Sequence, residues 1–202
     1  MQIDLPEQAI KLGLICILCV TACTVELNDQ FDFVPIYSTI PVNVGVSITG
    51  PFQNVKFSHP LVKDIYVGEV SSNLFLQVFN TMFETTKGLS SWPSSKNNDD
   101  LKELDGIIEL DTCEFNLSVG NDGQNPSKFS ILYKVCLYSP DGKVIDCWST
   151  QSKKLHQRKP FEFDLGPSSL QPIIEDAMRA AIADFMIAFQ NSKSVNSWVN
   201  NK

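Results

Sequence analysis

Residues 42–48, VNVGVSI, place an aliphatic side chain at every second position and a small or polar one between. Successive side chains of a β-strand point to opposite faces of a sheet, so this alternation predicts a strand with one buried face. Thr49-Gly50-Pro51 follows at once and is typical of a turn that ends a strand. The folded domain is therefore predicted to begin with a strand at residue 42.

Two longer segments have the three- to four-residue spacing of apolar side chains that indicates an amphipathic helix. The first spans residues 64–87, and Gly88 is expected to end it. The second spans residues 169–190, where Glu175 and Asp176 are expected to complement the positive end of the helix dipole.

Three strands are predicted between the helices. The apolar residues of 107–119 change parity midway, which predicts a β-bulge near Asp111 or Thr112. The sequence SPDGK at 139–143 predicts a three-residue hairpin loop with its glycine in the left-handed conformation.

The length of this loop decides the register of the hairpin. A three-residue loop sets Val135 opposite Cys147. A two-residue loop would instead pair Cys136 with Cys147, but it would place Asp146 opposite Leu137 and turn part of the core face towards water. The first register is therefore preferred.

The order strand, helix, three strands, helix predicts an α+β fold, with a mostly antiparallel sheet of about four strands and two helices packed on one face. The expected divisions are a signal peptide at 1–22, a lipidated tether at 23–41, a single domain at 42–190 and a C-terminal tail at 191–202.

The apolar run at residues 12–23 is about 12 residues long, whereas a transmembrane helix needs roughly 20. Lys11 stands before it as the basic flank of an export signal, although Asp4 and Glu7 make the start acidic. An ordinary cleaved signal and a buried first helix are the alternatives.

Val20-Thr21-Ala22-Cys23, at the end of this run, resembles the lipobox of bacterial lipoproteins. The resemblance implies cleavage before Cys23, acylation of its thiol and acylation of the new amino terminus. Two or three acyl chains hold a protein on a membrane almost permanently. Thr24, where aspartate would favour retention in the inner membrane, implies the outer membrane of a Gram-negative cell, with the domain facing the periplasm.

The whole layout, with SPDGKVIDCWS before a C-terminal alanine-rich helix, is similar to that of small envelope lipoproteins. These include the lipopolysaccharide-assembly lipoprotein and the amino-terminal domains of curli-secretion and Tol-type proteins. The resemblance implies a partner role in an envelope protein complex.

Three cysteines, Cys113, Cys136 and Cys147, lie beyond the lipobox, and an odd number leaves at least one unpaired. The preferred hairpin register disfavours a bridge between Cys136 and Cys147, so Cys113 with Cys147 is the expected disulfide if one forms. The alternative is that all three are small apolar residues in strands.

The net charge of −7 and the pI near 4.8 argue against nucleic acid as a partner. One basic patch stands out on this acidic chain, and it is either a solvated strand end or a contact for lipid headgroups or an acidic partner. Its residues are Lys153, Lys154, Arg158 and Lys159.

No catalytic or cofactor motif is present in the sequence, and its two histidines, His59 and His156, are far apart. The leading hypothesis is a non-catalytic lipoprotein subunit of a secretion, appendage or export machine, which recruits a partner strand at an edge formed by 42–48 or by the hairpin. The alternative is a lipoprotein that binds a lipid or cell-wall fragment between sheet and helices. Five phenylalanines could line such a pocket: Phe75, Phe79, Phe83, Phe185 and Phe189.

Intact-mass analysis of protein extracted from cell envelopes tests the lipobox. The expected mass is that of a chain beginning at Cys23 plus its acyl groups. A chain that retains residues 1–22, or that carries a free thiol at Cys23, would contradict the prediction.

Overall fold

The structure is a computed structural model that describes residues 27–28, 39–59, 62–90, 92, 101–118, 127–156 and 167–201. The predicted signal peptide and Cys23 lie outside these residues, as do Arg158 and Lys159 of the basic patch.

Seven strands and four helices form within the described residues. In chain order they are β1 (Ile40–Ile48), α1 (Gly50–Gln53), β2 (Phe57–His59), β3 (Val62–Ile65), α2 (Val67–Met82), β4 (Phe83–Leu89), β5 (Gly106–Ser118), β6 (Ser127–Tyr138), β7 (Val144–His156), α3 (Pro167–Asn191) and α4 (Lys193–Asn200).

Five strands form one mixed sheet in the order β4-β1-β5-β6-β7, and β2 and β3 form a separate antiparallel pair. β1 runs parallel to both of its neighbours, whereas β5, β6 and β7 are antiparallel. The combination of helices with a sheet is confirmed, but the expected mostly antiparallel sheet of about four strands with two helices was wrong.

The parallel part arises because the first predicted helix ends early. α2 stops at Met82, and residues 83–89 continue as β4 beside β1. Met82 and Phe83 are both buried. In the sequence these two apolar residues continue the spacing of the helix, so the spacing alone did not mark where the helix ends. Thr85 and Thr86 then favour a strand because β-branched side chains pack well on a pleated surface.

One face of the sheet forms the main core. β1 buries Val42, Val44 and Val46 on this face, as the alternation predicted. Gly45 and Ser47 on its opposite face are also buried, so the expectation of a single buried face was wrong. The bulge predicted near Asp111 is also confirmed, because the β5–β6 register shifts between Leu110 and Thr112. α2 and α3 contribute their buried apolar stripes to the same core cluster.

The C-terminal residues are part of the domain and not a tail. α4 begins with Ser192 as its N-cap, and the hydroxyl of Ser192 accepts from the N–H of Val195 at 3.2 Å. Trp198 is nearly buried, and its indole N–H donates to the carbonyl of Asp105 at 3.0 Å. The expected domain boundary at residue 190 therefore falls one helix too early.

Gly68→Ala tests the packing of α2 on α1. A Cβ at Gly68 would lie 2.2 Å from the carbonyl oxygen of Phe52 and 2.6 Å from that of Gln53, and both are backbone atoms that yield only if α1 moves. We expect the free energy of unfolding, measured with urea, to fall by about 2–3 kcal/mol. Gly88→Ala is the control, because a Cβ there meets nothing within 4 Å. Equal stability of the two variants would contradict the prediction.

Candidate functional site: the surface behind the predicted anchor

The hairpin turn has the predicted form. The N–H of Ser139 donates to the carbonyl of Lys143 at 2.9 Å and closes a three-residue loop. Gly142 has a φ of 89°, the left-handed conformation that glycine adopts without steric cost.

A β-bulge at Ile145 changes the register just beyond this turn. Leu137 lies opposite Asp146, because the pairing shifts by one residue. The preferred register was therefore wrong for the rest of the hairpin. The shift brings Trp148 opposite Val135 on the core face, where its ring contacts two phenylalanine rings of α3 at centroid distances of 5.6 and 5.0 Å. Burying the indole of Trp148 stabilises the fold by more than burying the side chain of Ile145 would.

Asp146 is accommodated by hydrogen bonds. Its carboxylate accepts from the hydroxyl of Ser192, which lies between α3 and α4, and from the N–H of Cys147. Because these donors compensate the partly desolvated carboxylate, the acidic residue does not prevent the shifted register.

The shifted register pairs Cys136 with Cys147, and the two form a disulfide with a Cα–Cα distance of 4.1 Å. The expected bridge between Cys113 and Cys147 was therefore wrong. Cys113 is buried on the core face of β5, whereas Cys147 is exposed on the opposite face of β7. The sheet itself separates these two thiols.

Cys113 lies in a small polar cluster inside the core. The Ser71 hydroxyl and the Tyr133 hydroxyl are 2.8 Å apart and both are buried. Burial raises the pKa of Cys113 to about 12 despite a hydrogen bond with Ser71. Burial likewise raises the pKa of Tyr133 well above its usual value. The cluster therefore stays uncharged at neutral pH.

The chain just behind Cys23 contacts α3. The backbone N–H of Asn28 donates to Glu175 Oε1 at 2.7 Å, and Leu27 packs against the core cluster. Residues 27–28 of the expected tether thus lie against the domain.

Glu175 is only 9% exposed and is held by its own helix. Gln171 donates to Glu175 Oε1 at 3.0 Å, and Arg179 lies 3.5 Å from Oε2. Because α3 begins at Pro167, about two turns earlier, Glu175 is too far from the helix end to complement its dipole as expected. The i, i+4 spacing of Glu175 and Arg179 was visible in the sequence, but the contact with Asn28 was not.

The structure places one residue of the predicted basic patch, Lys154, beside this contact. Lys154 Nζ lies 3.2 Å from Asp176 Oδ2, one residue after Glu175. Lys153 is exposed and points to the other face of the sheet. We call Asn28, Lys154, Glu175 and Asp176 the anchor-proximal surface.

The five phenylalanines considered as a pocket lining fill the core instead. Each is at most 2% exposed. Their rings contact one another, for example Phe75 with Phe185 at 5.5 Å and Phe83 with Phe189 at 5.7 Å between centroids. This close packing gives no support to a ligand held by these side chains.

The sheet exposes different edges from those considered. β1 lies inside the sheet between β4 and β5, so residues 42–48 are not an edge. The outer strands among the described residues are β4 and β7, the second of which belongs to the hairpin.

The described ranges bring together no group of three His, Cys, Asp or Glu side chains that could hold a metal ion. Within the same part of the chain, every helix is too short or too polar to cross a membrane. An open cleft of about 550 Å³ lies beside α1 and the start of α2, lined by Gln53, Asn54, Lys56, Tyr66 and Glu69.

Thiol labelling tests the cysteine assignment. Cys113 should not react with a maleimide in the native protein, because its thiol is buried and protonated at pH 8. In the chain that begins at an acylated Cys23, denaturation without reductant should expose this one thiol, and reduction should add the two of the disulfide, as counted by mass spectrometry.

Two variants serve as controls for this labelling. Cys113→Ala should lose the label that appears on denaturation and keep the disulfide. Cys136→Ala should free the exposed Cys147, which then reacts in the native state. Loss of the bridge in Cys113→Ala would contradict the pairing.

Comparison with known proteins identifies similar structures but no family. No protein-family model matches the sequence, and no curated protein matches it. The crystal structure of protein XCC0632 from Xanthomonas campestris, of family DUF330, has a TM-score of 0.52 at 7% identity, with 83% of this chain and 92% of that chain covered.

Two further structures are similar at lower scores. A minor lipoprotein from Acinetobacter baumannii has a TM-score of 0.38 at 7% identity, over 73% of this chain and 96% of that chain. The solution structure of uncharacterized lipoprotein B from Nitrosomonas europaea has a TM-score of 0.46 at 12% identity, over 83% of this chain and 96% of that chain. The protein thus shares its fold with the Xanthomonas protein.

Proposed function

We propose that this protein is a non-catalytic lipoprotein, anchored in the outer membrane through Cys23, that serves as an accessory subunit of a cell-envelope assembly with its domain in the periplasm. The observation that carries the proposal is the lipobox-like Val20-Thr21-Ala22-Cys23 at the end of an apolar run too short to span a bilayer.

The disulfide supports the export step. Bridges such as Cys136–Cys147 persist in oxidising compartments and are rare in the bacterial cytosol. Cys147 is exposed, so a reducing environment would have direct access to this bridge. A protein that depends on export to form it agrees with an N-terminal signal.

The two outer strands of the sheet provide the surface for a partner. β4 pairs only with β1 among the described residues, so one side of its backbone is open to another strand. Thr85 on β4 and Ser149 on β7 are both exposed. A partner strand added at either edge would gain backbone hydrogen bonds with no change in the domain.

Site-specific photo-crosslinking in intact cells tests the assembly role. A photoreactive amino acid at Thr85 or at Ser149 should yield one adduct of discrete mass. The same probe at Asp184, which is exposed on α3, is the matched control and should yield none. Absence of adducts from both edges, together with protein that migrates alone after detergent extraction, would overturn the assembly proposal.

Cell fractionation of Cys23→Ser tests the anchor independently. The wild-type protein should sediment with outer membranes, and the variant should be lost from them because it cannot be acylated. Retention of Cys23→Ser in the membrane fraction would contradict anchoring through this residue.

A further inference from the structure

We propose that the anchor-proximal surface faces the bilayer, and that the basic end of the β6–β7 hairpin beside it binds anionic lipid headgroups. This inference rests on the proposed acylation of Cys23. It adds an orientation of the domain that anchoring by itself does not require.

The first argument is the short length of chain behind the anchor. Asn28 is the fifth residue after Cys23, and an extended chain of five residue steps spans at most about 18 Å. The backbone N–H of Asn28 donates a hydrogen bond to Glu175 Oε1 at 2.7 Å. The bilayer surface must therefore lie within about 18 Å of the first third of α3.

The second argument is the direction of α3 along the sheet. Asp176 contacts Lys154 near one end of β7, and Ser192 contacts Asp146 near the other end. The helix rises about 1.5 Å per residue, so Ser192 lies about 25 Å along the axis from Glu175. The chain behind Cys23 is too short to bring the anchor level with the hairpin turn.

The third argument is charge. The end of the hairpin beside the anchor carries Lys128, Lys153 and Lys154, of which the first two are exposed. From Cys23 onward the chain has 15 basic and 21 acidic residues, a net charge of −6, so an anionic membrane repels most of its surface. Lysines close to a headgroup layer are attracted to it within about a Debye length, roughly 8 Å at physiological salt.

The lysines at this end of the hairpin lie on both faces of the sheet. Lys154 is on the helix side and is paired with the exposed Asp176, whereas Lys128 and Lys153 lie on the opposite side. Lysines on both faces, at the end of the hairpin that the anchor contact reaches, fit a domain that stands on the membrane with that end down.

Energy transfer to lipids measures this orientation. The full-length lipidated protein is placed in vesicles of phosphatidylethanolamine and phosphatidylglycerol with a headgroup-linked acceptor dye. Donor dyes go on Ser118→Cys or Lys143→Cys, two exposed positions at opposite ends of the sheet, because Ser118 on β5 pairs with Lys128 at the basic end of the hairpin. Along a strand these ends are roughly 35–45 Å apart. We expect transfer to be several-fold more efficient from position 118, and equal or reversed efficiencies would overturn the proposal.

Charge reversal tests the role of the lysines. The double variant Lys128→Glu with Lys153→Glu, carrying the donor at position 118 or 143, should lose part of the difference in transfer between these positions in vesicles with phosphatidylglycerol. It should keep it in vesicles of phosphatidylcholine, where only the anchor and the Asn28–Glu175 contact orient the domain. Lys56→Glu with Lys87→Glu is the matched control, and we expect no change. An unchanged difference in the first variant would overturn headgroup binding.

Vesicle flotation separates the two proposals. If the wild-type protein does not float with the vesicles, the anchoring proposal fails. If it floats but positions 118 and 143 transfer equally, anchoring stands and the orientation proposed here is wrong.

Discussion

The structure depends on keeping one face of β5 and β6 apolar over most of their length and on turning Trp148 of β7 to the same face. Side chains alternate strictly along a strand, so a single change of parity in the sequence would turn half of a strand inside out. Two bulges, at Asp111 in β5 and at Ile145 in β7, absorb one residue each. The first restores the alternation of β5, and the second turns Trp148 to the core face. Cys113 and Trp148 reach the core because of these bulges.

The bulge at Ile145 also determines the arrangement of the opposite face. It sets Cys136 beside Cys147, where a bridge can form across the two strands, and it leaves Cys113 as a buried thiol within the core. The same register brings Asp146 to the loop between α3 and α4, where Ser192 binds it. One inserted residue therefore links the disulfide, the buried thiol and the position of the C-terminal helices.

α3 connects this core to the proposed anchor. Its inner stripe packs on β6 and β7, and its flank carries Glu175, which binds the backbone of Asn28 close behind Cys23. A carboxylate that is nearly buried needs such donors, because an unpaired buried charge is costly. The helix that completes the core is thus also the element that holds the chain behind Cys23, which couples the position of the proposed anchor to the fold.

Local patterns in the sequence determined the elements whose signal is complete within a few residues. These are the alternating strand at 42–48, the turn at 139–143, the bulge in β5 and most of the two long helices. Only the tertiary structure decided the rest, because each outcome is a competition between distant residues. α2 ends before Phe83, and the chain continues from Phe83 as a strand because β1 provides a parallel partner. The register that buries Trp148 prevails over the register that would bury Ile145, because the Trp148 ring packs against two rings of α3. Glu175 contacts Asn28, which is 147 residues away in the sequence. The partners of such a contact are far apart in the sequence, so the stabilisation that selects it exists only in the folded chain.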